Sequence, residues 1–430
     1  MRTQTIVLGL TLGLLAVRSG PAADDKFVGP PAPDARPAEP AKGQPPPDGA
    51  LQAARGNNAF AFRLYERLAR KDGNVVFSPY SLSAALSMAY AGARGDTARE
   101  MARALALAEP PEQHAGFAEL IRSLNGHGIS RDYQLHVANA LWVERGEPLL
   151  DDFQAVVREH YGSRPRPLDF RTDPPAARQE INRWVADHTA GKVPELLGPQ
   201  SVGPRTTLVL SNAVYFSAGW QSKFDAARTA PGEFQTGKDR KVTVPLMSQV
   251  GKFNYLDGGT FQAVELPYEG KDVSMLVFLP REANGLAALE KELSAERLAG
   301  WPPCFRAVEL RVTLPRFRAG VGLSLKKQLG ALGVRQAFSP GADFSGITGK
   351  NNLSLDEVLH QAVVDVKEGG TEAAAATHAV AVKRGGSELA FAANHPFVFL
   401  ICDNRTGAIL FLGRLVDPAG SGSTATKARQ

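Results

Sequence analysis

Cysteine is scarce in this sequence, with only Cys304 and Cys402 among 430 residues. Two thiols that lie far apart in the chain are too few for a cysteine zinc site or a disulfide scaffold, and they leave room for at most one bridge. Long apolar runs are also missing, because no run after the first residues approaches the roughly 18 residues of a membrane helix. The sequence therefore predicts no membrane span once an N-terminal signal has been removed.

A dense basic stripe is absent as well. The formal net charge is +5, and lysine and arginine are scattered without interleaved aromatic residues, which argues against nucleic-acid binding. Glycine-rich phosphate loops, H-E-x-x-H and G-x-S-x-G do not occur. Eight histidines and many serines are present, but no local signature indicates a catalytic triad. We predict a protein that is not an enzyme and that binds no metal or cofactor.

The first residues have the composition of an export signal. Arg2 supplies a positive start, residues 6–17 are apolar, and residues 20–23 are small. We expect a signal peptide over residues 1–23 and a secreted protein, extracellular or periplasmic, with an uncleaved anchor as the alternative. Residues 24–50 are rich in proline and alanine, which predicts a disordered linker.

One folded domain is expected over residues 51–418, followed by a disordered tail over 419–430. Helical periodicity dominates the first half, where Ser78 and Pro79 begin one helix and residues 97–100 (TARE) form a capping box for another. Closely spaced strands dominate the second half. This order predicts an α+β fold built on antiparallel sheets. Asn212 interrupts a strand that is otherwise apolar on both faces, so it requires hydrogen-bond partners inside the core.

Residues 368–377 (EGGTEAAAAT) contrast with the apolar strands on either side. Alanine is the best helix former, so a surface helix is one interpretation. The other is that small side chains keep the segment ready to insert elsewhere in the fold.

Several collinear motifs extend over residues 51–418. These motifs are residues 58–62 (NAFAF), 77–81 (FSPYS), 92–97 (GARGDT), 211–216 (SNAVYF) with Trp220, 266–268 (LPY), 314–317 (LPRF), 360–362 (HQA), 368–377, and 395–397 (HPF) through 413–414 (GR). Each motif is weak alone, but together they are specific, and they resemble the serpin family of suicide-substrate serine protease inhibitors.

The resemblance implies three mainly antiparallel sheets, about nine helices and an exposed reactive loop. A target protease cleaves this loop and stays acylated to it while the loop inserts into the main sheet. The implied loop hinge consists of Glu368, Gly369, Gly370, Thr371, Glu372, Ala373, Ala374, Ala375, Ala376 and Thr377. Alternate side chains from Thr371 to Thr377 would face the core, where small groups avoid overpacking, and the two glycines would allow the hinge to rotate.

The resemblance also implies roles for residues elsewhere. Ser78, Ser81, Asn212 and His360 correspond to the shutter, where the main sheet parts, although a buried histidine is commonly just a core residue. Trp220 corresponds to the breach, where insertion begins.

The resemblance also implies a scissile bond, which the family's usual spacing from Glu368 places between Arg384 and Gly385, with Lys383 as the competing position. An arginine at this bond suits the acidic specificity pocket of a trypsin-like serine protease. We therefore expect a monomeric inhibitor of such proteases. The alternative is a non-inhibitory serpin that acts as a carrier, chaperone or structural protein.

Overall fold

The computed structural model describes residues 45–125, 132–237, 240–371 and 389–422. Residues 1–23, most of the predicted linker, the loop residues 372–388 and residues 423–430 lie outside the described residues. No helix in the described ranges is long and apolar enough to cross a membrane.

The described part of the chain contains ten α-helices and fifteen strands. The helices are α1 (Asp48–Leu68), α2 (Pro79–Gly92), α3 (Gly95–Leu105), α4 (Glu112–Asn125), α5 (Asp151–Tyr161), α6 (Pro174–His188), α7 (Leu286–Glu292), α8 (Ala295–Gly300), α9 (Lys326–Ala331) and α10 (Ser345–Thr348). The strands are β1 (Val75–Phe77), β2 (Tyr133–Glu144), β3 (Arg166–Leu168), β4 (Leu208–Gly219), β5 (Ala230–Gly237), β6 (Arg240–Asp257), β7 (Phe261–Pro267), β8 (Val273–Pro280), β9 (Arg306–Pro315), β10 (Phe317–Ser324), β11 (Leu355–Lys367), β12 (Gly370–Thr371), β13 (Ala390–Ala392), β14 (Phe397–Asp403) and β15 (Ile409–Leu415).

Two local signals at the first helices have different outcomes. Ser78 caps α2 as expected, because its Oγ accepts the amide of Ser81 at 3.1 Å and Pro79 follows. The prediction of a capping box at residues 97–100 is wrong, because α3 already begins at Gly95. Thr97 Oγ1 instead accepts the amide of Asp343 at 2.9 Å, so it joins two distant parts of the chain.

The main sheet has six strands in the order β10-β11-β12-β4-β2-β3. Most neighbours are antiparallel, but β11 and β4 pair in parallel from Leu355↔Leu208 to Val363↔Tyr215. β12 lies between these two strands at one end and is antiparallel to both. The junction between β11 and β4 is therefore closed over most of its length and already holds an additional strand at that end.

The other nine strands form a second hydrogen-bonded network through the long strand β6. β5 and β9 pair with β6 up to Tyr255. β7 pairs with the last residues of β6, and the sheet continues from β7 through β8, β14 and β15 to β1. This network contains two of the three expected sheets, joined by β6. The predicted α+β fold with mainly antiparallel sheets is confirmed.

The main sheet is covered on both faces, which explains why β4 is almost entirely buried. On one face, Leu86 of α2 belongs to the same core cluster as Leu210. On the other face, Ile181 of α6 belongs to a cluster with Ala213 and Val363. β4 therefore has no solvent-exposed face, and its apolar sequence follows from its position between these two layers.

Candidate functional site

The hinge begins where β11 ends. After Lys367 the chain turns back, and Gly370 and Thr371 pair on one side with Lys367 and Val366 of β11. On the other side they pair with Gly219 and Ala218 of β4. The first residues of the predicted insertion segment are thus extended and lie inside the main sheet.

Gly370 occupies a position that accepts only glycine. Its φ is +148°, a region that residues with a Cβ rarely adopt. A Cβ at this position would lie 2.0 Å from the carbonyl oxygen of Ala218 and 2.6 Å from Gly219 Cα. Because both contacts are with backbone atoms, no side-chain rotation relieves them. The close approach of the hinge to β4 therefore depends on this glycine.

Thr371 is fully buried under two stacked aromatic rings. Its Oγ1 lies 2.9 Å from the hydroxyl of Tyr268, whose ring stacks on Trp220 at 4.5 Å between centroids. Trp220 donates its indole N–H to the carbonyl of Lys367 at 2.9 Å, and its backbone N–H to Gly369 at 2.9 Å. Burial raises the pKa of Tyr268, so its hydroxyl stays neutral. Trp220 thus holds both ends of the hinge turn.

Glu368 is buried beside the hinge, with 4% of its surface exposed. Its carboxylate accepts hydrogen bonds from Arg316 Nε at 2.6 and 2.8 Å and from Thr229 Oγ1 at 2.6 Å. Burial alone would raise the pKa of Glu368, but these hydrogen bonds outweigh it and lower the pKa below its ordinary value. The ion pair therefore fixes the turn between β11 and β12.

A second polar cluster lies farther along the junction of β4 and β11. It consists of Ser78, Ser81, Asn139, Asn212 and His360, and we call it the shutter cluster. Asn212 Nδ2 donates to Ser81 Oγ at 2.5 Å and to Asn139 Oδ1, while Ser81 Oγ donates to Asn139 Oδ1 at 3.2 Å. Asn212 is fully buried, and these contacts supply the partners that its position in a central strand requires.

His360 connects the two strands on either side of the junction. Its Nε2 accepts the backbone N–H of Ser78 at 3.0 Å, so the other ring nitrogen, Nδ1, carries the proton and donates to Asn212 Oδ1. Burial lowers the pKa of His360 to about 3, which keeps the ring neutral and preserves this tautomer. Any strand that enters between β4 and β11 at this level must break the bond between His360 and Asn212.

The predicted residues thus form two groups along one junction. Glu368, Gly369, Gly370 and Thr371 lie with Trp220 at its end, whereas Ser78, Ser81, Asn212 and His360 lie together farther along. Glu372 to Thr377, Arg384 and Gly385 lie outside the described residues. Among the residues that are described, no group of His, Cys, Asp and Glu could hold a metal ion.

Sequence reasoning missed the partners of these residues. Tyr268 and Arg316 fall within the quoted motifs at residues 266–268 and 314–317, but no role was assigned to them. Thr229 and Asn139 carried no signal at all. Only the pairing of distant strands brings these side chains to the hinge and to the shutter cluster.

Comparison with known proteins identifies one family. The model for "Serpin (serine protease inhibitor)" matches residues 55–418. The leukocyte elastase inhibitor of Bos taurus is 42% identical over 378 residues, which cover 85% of this chain and all of the bovine protein. An uncharacterized serpin-like protein of Thermococcus kodakarensis is 40% identical over 366 residues, which cover 84% of each chain.

Solved structures agree with these matches. Uncleaved ovalbumin superimposes with a TM-score of 0.77 at 29% identity, covering 85% of this chain and all of that one. Human thyroxine-binding globulin in complex with thyroxine gives a TM-score of 0.79 at 32% identity, covering 86% of this chain and 99% of the globulin.

The predicted secretion is contradicted by these relatives. The leukocyte elastase inhibitors and serpin B6 are intracellular serpins that lack signal peptides. The family match also begins at residue 55, after the apolar run at 6–17, so it gives that run no support. An apolar N-terminal run is a compositional signal, and here the family evidence overrides it.

Proposed function

Because the chain belongs to the serpin family, we propose that it inhibits trypsin-like serine proteases as a suicide substrate. The protease cleaves the bond between Arg384 and Gly385, and the loop then inserts into the main sheet while the protease is still attached. The partner is a serine protease, the inhibitor acts as a monomer, and no cofactor takes part.

The observation that carries this proposal is β12. Gly370 and Thr371 already occupy the position of an inserted strand, antiparallel to both neighbours. Continuing the same register would place Ala373 between Val364 and Phe216. It would then place Thr377 opposite both His360 and Asn212, which pair with each other in the uncleaved protein. The inserting strand would thus follow the junction from the hinge to the shutter cluster.

The side chains of this segment suit such a path. In a strand, alternate residues face the same side, so Ala373, Ala375 and Thr377 would follow Thr371 toward the buried face. Thr371 already fills the space under Tyr268 without a clash. Larger groups at the following positions would have to displace packed core side chains, which costs stability and slows insertion.

The chemistry begins as ordinary proteolysis. The protease serine attacks the carbonyl carbon of Arg384, an ester forms, and the peptide nitrogen of Gly385 leaves with a proton from the catalytic histidine. Water would normally hydrolyse the ester. Insertion carries the attached protease away from the loop's original position and distorts it before this second step. Inhibition therefore depends on insertion being faster than deacylation.

The target class rests on the residue before the scissile bond. An arginine at position 384 forms charge-assisted hydrogen bonds with an acidic specificity pocket, which favours trypsin-like proteases. Lys383 would serve the same pocket if cleavage occurred one residue earlier. The relatives named leukocyte elastase inhibitor indicate elastase as another target, and an elastase pocket would select a small residue.

Incubation with trypsin and with elastase tests the proposal. We expect a complex with trypsin that survives denaturing electrophoresis and a released fragment that begins at Gly385. A fragment that begins at Arg384 would assign the scissile bond to Lys383. Arg384→Ala should abolish complex formation with trypsin, whereas Arg335→Ala, at a distant position, should not. Cleavage of the loop without any stable complex would contradict the inhibitory function.

A further inference from the structure

The junction between β4 and β11 ends in a third polar cluster, which we call the foot clamp. It consists of Asp356 and Ser354 on the β11 side and Thr207 and Leu208 on the β4 side. Asp356 Oδ2 accepts the amide of Thr207 at 2.7 Å, its hydroxyl at 3.1 Å and the amide of Leu208 at 3.3 Å. The Thr207 hydroxyl also lies 3.1 Å from the carbonyl of Ser354 and accepts the amide of Ser354 at 3.2 Å.

The foot clamp arises from an irregularity in the strand pairing. Leu355 pairs with Leu208 and Glu357 pairs with Val209, so Asp356 is an extra residue in β11 without a Cα partner in β4. A bulge of this kind turns a side chain out of the regular ladder. Here it brings a carboxylate to the backbone amides of Thr207 and Leu208, where β4 begins. The strands are therefore joined at this end by a side chain as well as by backbone hydrogen bonds.

We propose that the foot clamp opposes the last step of loop insertion and that Asp356 sets how completely the loop enters the sheet. This inference rests on the proposed function. Asp356 touches neither protease nor scissile bond, so it is a positioning residue. Its hydrogen bonds hold β4 and β11 together in the uncleaved protein, and they must break before the end of the loop can lie between the strands.

The register of β12 identifies which loop residues meet the foot clamp. Continued along β4, it places residue 379 opposite Leu210, Ala381 opposite Leu208 and Val382 opposite Thr207. The residues just before the proposed scissile bond would therefore arrive where Asp356 now binds. A strand that stops at residue 379 would separate the shutter cluster but leave the foot clamp intact.

Two synthetic strands separate these stages. A peptide with the sequence of residues 372–384 would reach the foot clamp, whereas one with the sequence of residues 372–379 would stop before it, and both leave the position of Thr371 to β12. Dissociation constants of both fluorescein-labelled peptides are measured on the full-length, uncleaved protein. This equilibrium measurement depends on the strength of the clamp and not on which step of strand entry is slowest.

Asp356→Ala should bind the longer peptide about tenfold more tightly, the change expected from one charge-assisted hydrogen bond that no longer has to be broken. It should leave the affinity for the shorter peptide unchanged. Asp356→Asn keeps the side-chain shape and one acceptor oxygen, so it should give a smaller change in the same direction. If the alanine variant folds poorly, the asparagine variant provides the test.

Glu357→Gln is the matched control. Glu357 is the adjacent carboxylate on β11, but it accepts the hydroxyl of Ser324 on β10 at 2.9 Å, away from the junction. Its replacement should change neither affinity. Equal tightening of both peptides by Asp356→Ala, or no tightening of either, would overturn the role of the foot clamp. If the unmodified protein bound neither peptide, the insertion mechanism itself would fail, and the foot clamp with it.

Discussion

Replacing Glu368 with glutamine tests whether the ion pair at the hinge holds the end of the main sheet closed. The substitution keeps the size of the side chain and one oxygen that can accept the Thr229 hydroxyl. It removes the negative charge that Arg316 binds. Nε and Nη2 of Arg316 each lie 2.6 Å from Oε1 of Glu368. The variant should therefore lose the charge-assisted component of these bonds while the packing around the hinge is preserved.

The two side chains differ in exposure, and this difference sets the magnitude. The Glu368 side chain is 5% exposed, whereas that of Arg316 is 45% exposed. Breaking a fully buried pair costs about 3–5 kcal/mol because it leaves a buried charge without a partner. Here the remaining charge belongs to Arg316, which water can reach, so the loss should be about 2 kcal/mol. For a domain of this size that corresponds to roughly 3 °C in unfolding temperature.

Thermal unfolding at several pH values provides the assay. The folded-state pKa of Glu368 is lowered, so its contribution is present above the ordinary value of 4.5 and is lost as the pH falls through the lowered folded value. The difference between wild type and Glu368→Gln should therefore be full at pH 7 and shrink below pH 4.5. Measurements at intermediate pH follow this decline directly.

An exposed ion pair supplies the control. Lys241 and Glu233 lie 2.7 Å apart with side chains 59% and 69% exposed, so Glu233→Gln should change the unfolding temperature by less than about 1 °C. Equal effects of the two substitutions at pH 7 would contradict a stabilising role for the ion pair between Glu368 and Arg316. So would a Glu368→Gln effect that stays constant down to pH 3.

Three further predictions concern the hinge and the shutter cluster. Thr371→Arg should turn the inhibitor into a substrate, because a charged side chain would replace the fully buried threonine; an unchanged stoichiometry of trypsin inhibition would contradict insertion. Gly370→Ala should expel β12, because its Cβ would lie 2.0 Å from a backbone oxygen; faster amide exchange at Thr371 and Trp220 tests this, and unchanged protection would count against it. His360→Gln should make stability less dependent on pH below pH 6.5. In that range His360 of the unfolded wild type takes up a proton, whereas His360 of the folded protein, with a pKa of about 3, does not. Identical stability profiles of variant and wild type would exclude His360 as a source of the pH dependence.

Much of the fold was predictable because its signals are local. Ser78 with Pro79 marks the start of α2, and the apolar residues around Asn212 indicate a strand covered on both faces. The start of α1 at Asp48 shows the limit of such signals, since the predicted domain begins only at residue 51. Thr97 shows another limit, because a distant amide at Asp343 competes for the side chain that a capping box would use.

The candidate site was predictable in part. Its residues could be identified through the family resemblance, and the requirement of Asn212 for buried partners followed from its position. Which partners these would be did not follow, because Asn139 and Tyr268 reach the site only through strand pairing across the sheets. The helix propensity of the alanine run also gave no information about Thr371, which is extended because β4 and β11 pair with it.

The most direct test of the central claim compares thermal unfolding before and after cleavage of the loop at Arg384. With loop insertion, the cleaved chain should unfold at a higher temperature, because the freed segment continues β12 and adds a full strand of backbone hydrogen bonds to the main sheet. The same cleavage in the Thr371→Arg variant should give a smaller increase. An unfolding temperature that cleavage leaves unchanged in the wild type would contradict loop insertion.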